Sequence, residues 1–392
     1  MLRILFCLIC SCLLGISAQA QAHKTPLVEA DSYVLVDRLT NTVLAEKKSH
    51  EKVNPGNTVQ LMILYIVEQE IEKGNFLRDD FIKIPDQALS LPSLNASRFY
   101  LELNKTYSVD LLEQAVASIA ANDAAIALAI HCSGSISNFV ERMNQTAQQL
   151  GMVNTHYVSP IGINNKEQVT SAQDTLILVN TLLNKYPNVQ KLWAKKQINN
   201  GMIQHKNTNS LLWYSDAVKG IHASHSHLNQ WSYISHYSNE FSEDNQEFSQ
   251  ELIAIALQSK RSHAIKDVAK LVSWGADNYK TLKLYSINET VDKIPVKLSN
   301  DATVRVTVDK NLFVTLPRAA ILQKGQNGFK AHITRMDPLV APIHEGDKIG
   351  TLHIFFNGKE IAQSDLFAQH DVQQFNFFRR LIQKAKALFG MK

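Results

Sequence analysis

Asn57 and Gln60 stand one helical turn apart at the start of an apolar run, Asn54-Pro55-Gly56-Asn57-Thr58-Val59-Gln60-Leu61-Met62. A hydroxyl at the first place and an amine at the second would make a nucleophile and its base, because i and i+3 share a helix face. The residues present are both amides. An Asn amide is a poor nucleophile, and a Gln amide takes up no proton near neutral pH. Thr58 does carry a hydroxyl, but Leu61 occupies its i+3 place, so no local base serves it. Ser118 lies two residues from Ala120, on another side of the same predicted helix, and reads as an ordinary packing or surface serine. The spacing suits acyl transfer and the side chains do not.

Histidines make a second cluster, His222-Ala223-Ser224-His225-Ser226-His227, with His236 nearby. On a strand His225 and His227 share one face while His222 points to the other. No Cys or acidic residue accompanies them in the sequence, so they read as incidental members of a polar edge strand; neither metal nor other cofactor is expected. A partly protonated His222 would still offer a weak carboxylate contact. Cys132, at an apolar helix end, reads as a buried small hydrophobe. Phe99, Tyr100, Tyr107, Trp213 and Trp231 could line a glycan groove by stacking on sugars, although such residues more often serve a core or a strand.

The elements that must position these residues follow from periodicity. Tyr33–Asp37 and Thr42–Glu46 read as a hairpin. Helical patterns cover Val59 to Gly74, Ser108 to His131, Ile136 to Leu150 and Ala172 to Asn184, with Gly74 and Gly151 as stops. Leu252–Leu257 reads as a strand and Ala264–Tyr279 as an amphipathic helix. Strands flanking a helical block describe an α+β domain. From about Leu282 the texture changes to short alternating segments: Ile294–Leu298, Val304–Val308, Leu312–Leu316, Phe329–Arg335 and Lys348–Phe356. They predict a small β-sandwich.

The ends carry different signals. Arg3, the apolar run Ile4–Ile16 and Ala18-Gln19-Ala20 read as a cleaved signal peptide. That run holds three of the four cysteines, so the mature chain keeps only Cys132 and no intrachain disulfide. The roughly 370 remaining residues suffice for two domains. A net charge of +4 is too small to argue for nucleic acid. At the other end Phe378, Leu381, Ile382, Ala385, Leu388 and Phe389 share a helical face. Arg379, Lys384 and Lys386 fall largely elsewhere, and no acid follows Asp371. A basic amphipathic helix of this kind lies in a membrane interface.

Taken together the chain resembles the low-molecular-mass penicillin-binding proteins that act as D-alanyl-D-alanine carboxypeptidases. The likeness rests on the entry hairpin, the Pro-x-Asn-x-x-Gln helix start and Ala120-Ala121-Asn122-Asp123-Ala124-Ala125. Asn154-Thr155-His156-Tyr157, Thr170-Ser171-Ala172-Gln173-Asp174, Asn209-Ser210-Leu211-Leu212-Trp213 and Val218-Lys219-Gly220-Ile221 add to it. The resemblance implies an α+β fold with a β-lactamase/transpeptidase-like domain (27–281) after the signal peptide (1–20). A small all-β sandwich (282–370) and the C-terminal amphipathic anchor helix (371–392) would follow.

Carried over by position, Asn57 replaces the nucleophilic Ser, Gln60 the Lys base, and Ala120 the second motif's proton-transferring Ser. Asn122, whose amide holds substrate in the family, is retained. His222, Ala223 and Ser224 replace the Lys-Thr-Gly that receives a substrate carboxylate. Three changed motifs in a kept frame imply a pseudoenzyme of peptidoglycan metabolism that binds a stem peptide or a cell-wall protein. It would sit in the periplasm, held to the outer face of the inner membrane through lipid contacts of the last helix. The alternatives are a weak or altered serine-type D,D-carboxypeptidase and a non-catalytic structural module at that membrane.

Overall fold

The computed structural model describes residues 25–91, 96–162, 165–225, 230–243, 246–260, 263–335 and 337–375. The expected signal peptide and most of the expected terminal helix lie outside them. The molecule is α+β, organised around a seven-stranded sheet whose long central strand is Gln246–Lys260. Ser32–Asp37 pairs along the end of that strand, antiparallel, from Ser32↔Leu257 to Asp37↔Leu252, and carries Thr42–Lys47 outside it. Along the other side runs Gln230–Glu243, which in turn carries Val218–His225.

Alternation on the central strand sorts two cores, as a period of two requires. Ile253, Ile255 and Leu257 face a helical layer with the helix Gln60–Glu72 at its heart. Leu252, Ala254 and Ala256 face the helix Ala264–Asn278 on the opposite side. The segment Gln60–Val67 is buried at every position, which is why its apolar run has no polar stripe.

Two expectations need correction, and one strand was missed. The single helix over Ser108 to His131 is two helices, Val109–Ile119 and Asn122–Ser133, broken at Ala120 in the left-handed conformation (φ 54°, ψ 44°). Alanine gives no local sign of such a break, whereas Gly74 and Gly151, both with positive φ, do end their helices. The strand at Leu312–Pro317 exists, but it pairs with Tyr279–Tyr285 in the seven-stranded sheet instead of joining the other short strands. The strand Lys359–Ala368 went unread, since its polar alternation is interrupted by charges.

The remaining strands form a second, five-stranded antiparallel sheet. Its order is Asp292–Pro295, Thr303–Val308, Lys359–Ala368, Lys348–Phe356, Phe329–Arg335. Val304, Val306, Val308, Leu352, Ile354 and Leu366 form its core, covered by extended segments bridged at Lys297↔Val340, Ser299↔Gln374 and Ile343↔Val372. The two halves of the chain are stitched at Asp37, which is fully buried. Its carboxylate accepts from Thr281 Oγ1 at 2.5 Å and from the Thr40 backbone N–H at 3.1 Å. The Thr315 hydroxyl lies 2.7 Å from that of Thr40 and 3.0 Å from that of Thr281.

Candidate functional site

Gln60 opens its helix directly beside the break at Ala120. Its Nε2 donates to Asn122 Oδ1 at 2.6 Å and to the Ala120 carbonyl at 3.3 Å. The helix break has a purpose here. The left-handed turn at Ala120 lets Asn122 start a new helix, with its backbone N–H on the Ser97 carbonyl and its side chain against Gln60. Asn57, in the short 3-10 turn Gly56–Val59 before Gln60, is 3% exposed. Its Oδ1 accepts the Gly162 backbone N–H at 3.0 Å. The neighbouring Thr58 hydroxyl donates to the Pro55 carbonyl at 2.7 Å, so it is tied up in the turn.

Gly162 was not foreseen. The loop that carries it is held by the fully buried Gln168, which accepts from Val158 and Ser159 N–H groups and donates to the Ile161 carbonyl. A Cβ on Gly162 would lie 2.3 Å from Asn57 Oδ1, 2.5 Å from the Gly56 carbonyl carbon and 2.6 Å from the Asn57 nitrogen. Only glycine fits. The faint signal was the turn-forming Ser159-Pro160-Ile161-Gly162.

The third group sits on Val218–His225, a strand paired on one side only among the described residues. Its start is irregular: register shifts between Val218 and Gly220, and φ is +101° at Gly220 and +103° at Ile221. Gly220 presses on Trp193, whose carbonyl oxygen would lie 2.6 Å from an added Cβ. The β-branched Ile221 at positive φ is a strained residue, one place before His222. His222 is 1% exposed, Ala223 1% and Ser224 3%. His222 and Ser224 alternate onto the helical side, the Asn57 side, with the His222 ring hydrogen-bonded to the Asn57 backbone.

The electrostatics correct one expectation. Burial pushes His222 down to about 4, against a weaker upward pull from the Asn57 backbone bond. It is therefore neutral at neutral pH and no stand-in cation for a lysine. The linkage has a definite sign. Between 6.5 and about 4 the unfolded chain takes up this proton before the folded one, so stability is lost as pH falls through that window. The expected contribution is about 2 kcal/mol lost by pH 5. Thermal unfolding of His222→Gln between pH 7 and 5 should show a flatter acid limb than the parent; parallel curves would refute the assignment.

Buried polar atoms without a hydrogen-bond partner cluster around this constellation. They include Gln60 Oε1, His222 Nε2, Ser224 Oγ and, in the segment after Thr208, Asn209 Nδ2. Such atoms are costly unless water or a ligand meets them. The set can hydrogen-bond a neutral polar ligand. At positions 57, 60 and 120 it holds no group able to attack a carbonyl or carry a proton.

The other candidates separate cleanly. Ser118 is buried and donates to the Leu192 carbonyl at 3.3 Å. Cys132 packs at the core edge, its thiol pushed up to about 12 by burial, which leaves it unreactive. His236 shares the His222 face but lies beside Glu251, 3.7 Å away, and His227 lies outside the described residues. Of the aromatics, Phe99 and Tyr107 are buried, while Tyr100 and Trp213 are 56% and 42% exposed.

Known proteins match this arrangement over most of its length. The sequence model described as D-alanyl-D-alanine carboxypeptidase fits residues 19–266, and the one described as penicillin-binding protein 5, C-terminal domain, fits 279–374. D-alanyl-D-alanine carboxypeptidase DacA of Haemophilus influenzae is 27% identical, the match covering 91% of this chain and 88% of that protein. DacF of Bacillus subtilis is 27% identical, over 89% of this chain and 87% of its own. Crystallised penicillin binding protein 5 from Haemophilus influenzae superposes with a TM-score of 0.76 at 27% identity, covering 90% of this chain and all of its own.

Proposed function

The chain belongs to the D-alanyl-D-alanine carboxypeptidase family, the low-molecular-mass penicillin-binding proteins of peptidoglycan metabolism, and from that premise we propose that it is a pseudoenzyme whose cleft binds a stem peptide without cutting it. The observation that carries this reading is the pairing at 2.6 Å of two amides, Gln60 and Asn122. A site built for proton transfer needs a titratable group there; a site built to hold a peptide needs only donors and acceptors. The unpartnered atoms of Gln60, His222 and Ser224 supply more of them. With His222 neutral, positions 222–224 provide no positive charge for a terminal carboxylate, so binding rests on amide hydrogen bonds.

We place the protein in the periplasm against the inner membrane, on the strength of its leader-like first 20 residues and the basic amphipathic pattern of its last ones. One experiment tests both statements. The mature chain, and the same chain ending at Phe375, are titrated with a D-Ala-D-Ala-terminated pentapeptide and sedimented with anionic vesicles. Both should bind the peptide with no release of D-alanine, and only the full chain should sediment. D-alanine release, or no peptide binding at all, removes the pseudoenzyme reading and leaves an enzyme or a partner-protein module respectively. Sedimentation of the shortened chain removes the anchor.

A further inference from the structure

Tyr100 is held outward at a cost. It has φ +58°, a left-handed conformation that a bulky side chain rarely adopts, yet the residue is 56% exposed instead of serving the core. The strain is imposed from both flanks. The Phe99 N–H donates to both oxygens of Asp123, at 2.9 and 3.0 Å, and the Leu101 N–H donates to Oδ2 at 3.2 Å. Asp123 is itself 2% exposed and follows Asn122 directly. The helix start that presents the Asn122 amide to Gln60 therefore also fixes the backbone under Tyr100.

The ring is backed as well as displayed. His205 stacks on it, centroids 6.1 Å apart and planes 18° from parallel, and buried Phe99 packs on His205 from 5.2 Å. Asn200 ties the facing hairpin to this loop by donating to the Phe99 carbonyl at 2.6 Å. Its Oδ1 caps the turn that carries Met202 and Ile203, 67% and 40% exposed. The result is a backed aromatic face with an aliphatic margin, and on the same hairpin the exposed amides of Gln197 and Gln204, Gln204 Nε2 donating to Gln197 Oε1, which leaves the Gln197 NH2 and the Gln204 Oε1 outward.

We propose that Tyr100 is a stacking platform for a pyranose ring of the glycan strand to which a stem peptide is attached. The inference deepens the stem-peptide reading and rests on it. An aromatic face accepts the C–H face of a sugar, a rotationally fixed ring loses little entropy in doing so, and nearby amides suit hydroxyls. A peptide held at Asn122 leaves its sugar end to lie over neighbouring surface, and Asp123 joins that surface to the cleft.

The test compares three soluble probes by calorimetry: the free pentapeptide, the same peptide on its N-acetylated disaccharide, and a peptide-free glycan oligomer. The disaccharide should raise affinity roughly tenfold over the bare peptide. Tyr100→Ala should abolish that increment while leaving bare-peptide affinity and thermal unfolding nearly unchanged, and Tyr100→Phe should keep it. Equal affinity for the two peptide probes, or an increment that survives Tyr100→Ala, overturns the platform. Should the bare peptide fail to bind, Tyr100-dependent binding of the glycan oligomer still supports the platform while the stem-peptide reading falls; absence of that binding overturns both.

Discussion

Prolonged exposure to a β-lactam should leave the intact mass of this protein unchanged, and no single reversion should alter that. Asn57→Ser alone supplies a hydroxyl that stays protonated at neutral pH, because Gln60 cannot take its proton. Gln60→Lys alone puts an ammonium against Asn122 Oδ1, in a fully buried place that lowers its pKa toward that of a base, with nothing for it to activate. By the family resemblance, the two together still lack a second-motif hydroxyl, where Ala120 stands, and a carboxylate seat, where His222, Ala223 and Ser224 stand. Residues that act as one unit give strongly non-additive effects, of several orders of magnitude in rate for the nucleophile alone. Acylation is therefore expected only when Asn57→Ser and Gln60→Lys are joined by Ala120→Ser and Lys-Thr-Gly at 222–224. The decisive contrary result is D-alanine release from a D-Ala-D-Ala peptide by the unmodified protein. If Asn57→Ala abolishes that release, the site is active and the pseudoenzyme reading is wrong.

Gly162→Ala should destabilise the protein by about 3 kcal/mol, read as a lowered midpoint in urea unfolding with the slope kept. The methyl would enter backbone atoms of Gly56 and Asn57 as well as the Asn57 amide oxygen. That distinction makes the claim testable in a second variant. Trimming the side chain with Asn57→Ala removes one of the three close contacts and leaves the two backbone ones. The double substitution should accordingly recover little of the loss. Full recovery would mean that the side chain alone sets the fit, and a neutral Gly162→Ala would mean that the loop does not rest on this turn.

Much of the fold is legible from local pattern. The apolar run from Val59, the hairpin at Tyr33 and the helix from Ala264 each carry their own period, and the structure has Gln60–Glu72, Ser32–Asp37 and Ala264–Asn278 in those places. What escaped depends on distant partners. The break at Ala120 is set by Asp123 and Ser97 contacts with the loop before it, and nothing in an Ala-Ala pair announces a left-handed residue. The strand at Leu312 shows that it is a strand, but its partner Tyr279–Tyr285 is chosen by the Asp37 and Thr315 contacts. At the site, the positions of Asn57, Gln60, Ala120, Asn122 and His222 to Ser224 are legible by resemblance, whereas the Gln60–Asn122 pairing is a tertiary contact that neither motif announces. Gly162 was signalled only faintly, by its turn-forming neighbours, and its contact with Asn57, 105 residues away, by nothing local. The neutrality of His222 likewise follows from burial, which a sequence does not display.

The buried carboxylate of Asp37 has a mechanical meaning. It is gripped by Thr281, and Thr315 closes the same knot, on two paired strands of the first sheet between which the chain passes through the second. Bending the chain there would pull an ionisable group out of its hydroxyl cage and unzip paired strands at once. The same economy recurs at the far end of the described chain, where the Phe375 N–H is fastened to the Leu298 carbonyl. A fold pinned in this way cannot lose its last strands piecemeal: fraying Tyr279–Tyr285 would strip the buried carboxylate of its hydroxyl partner at the same moment.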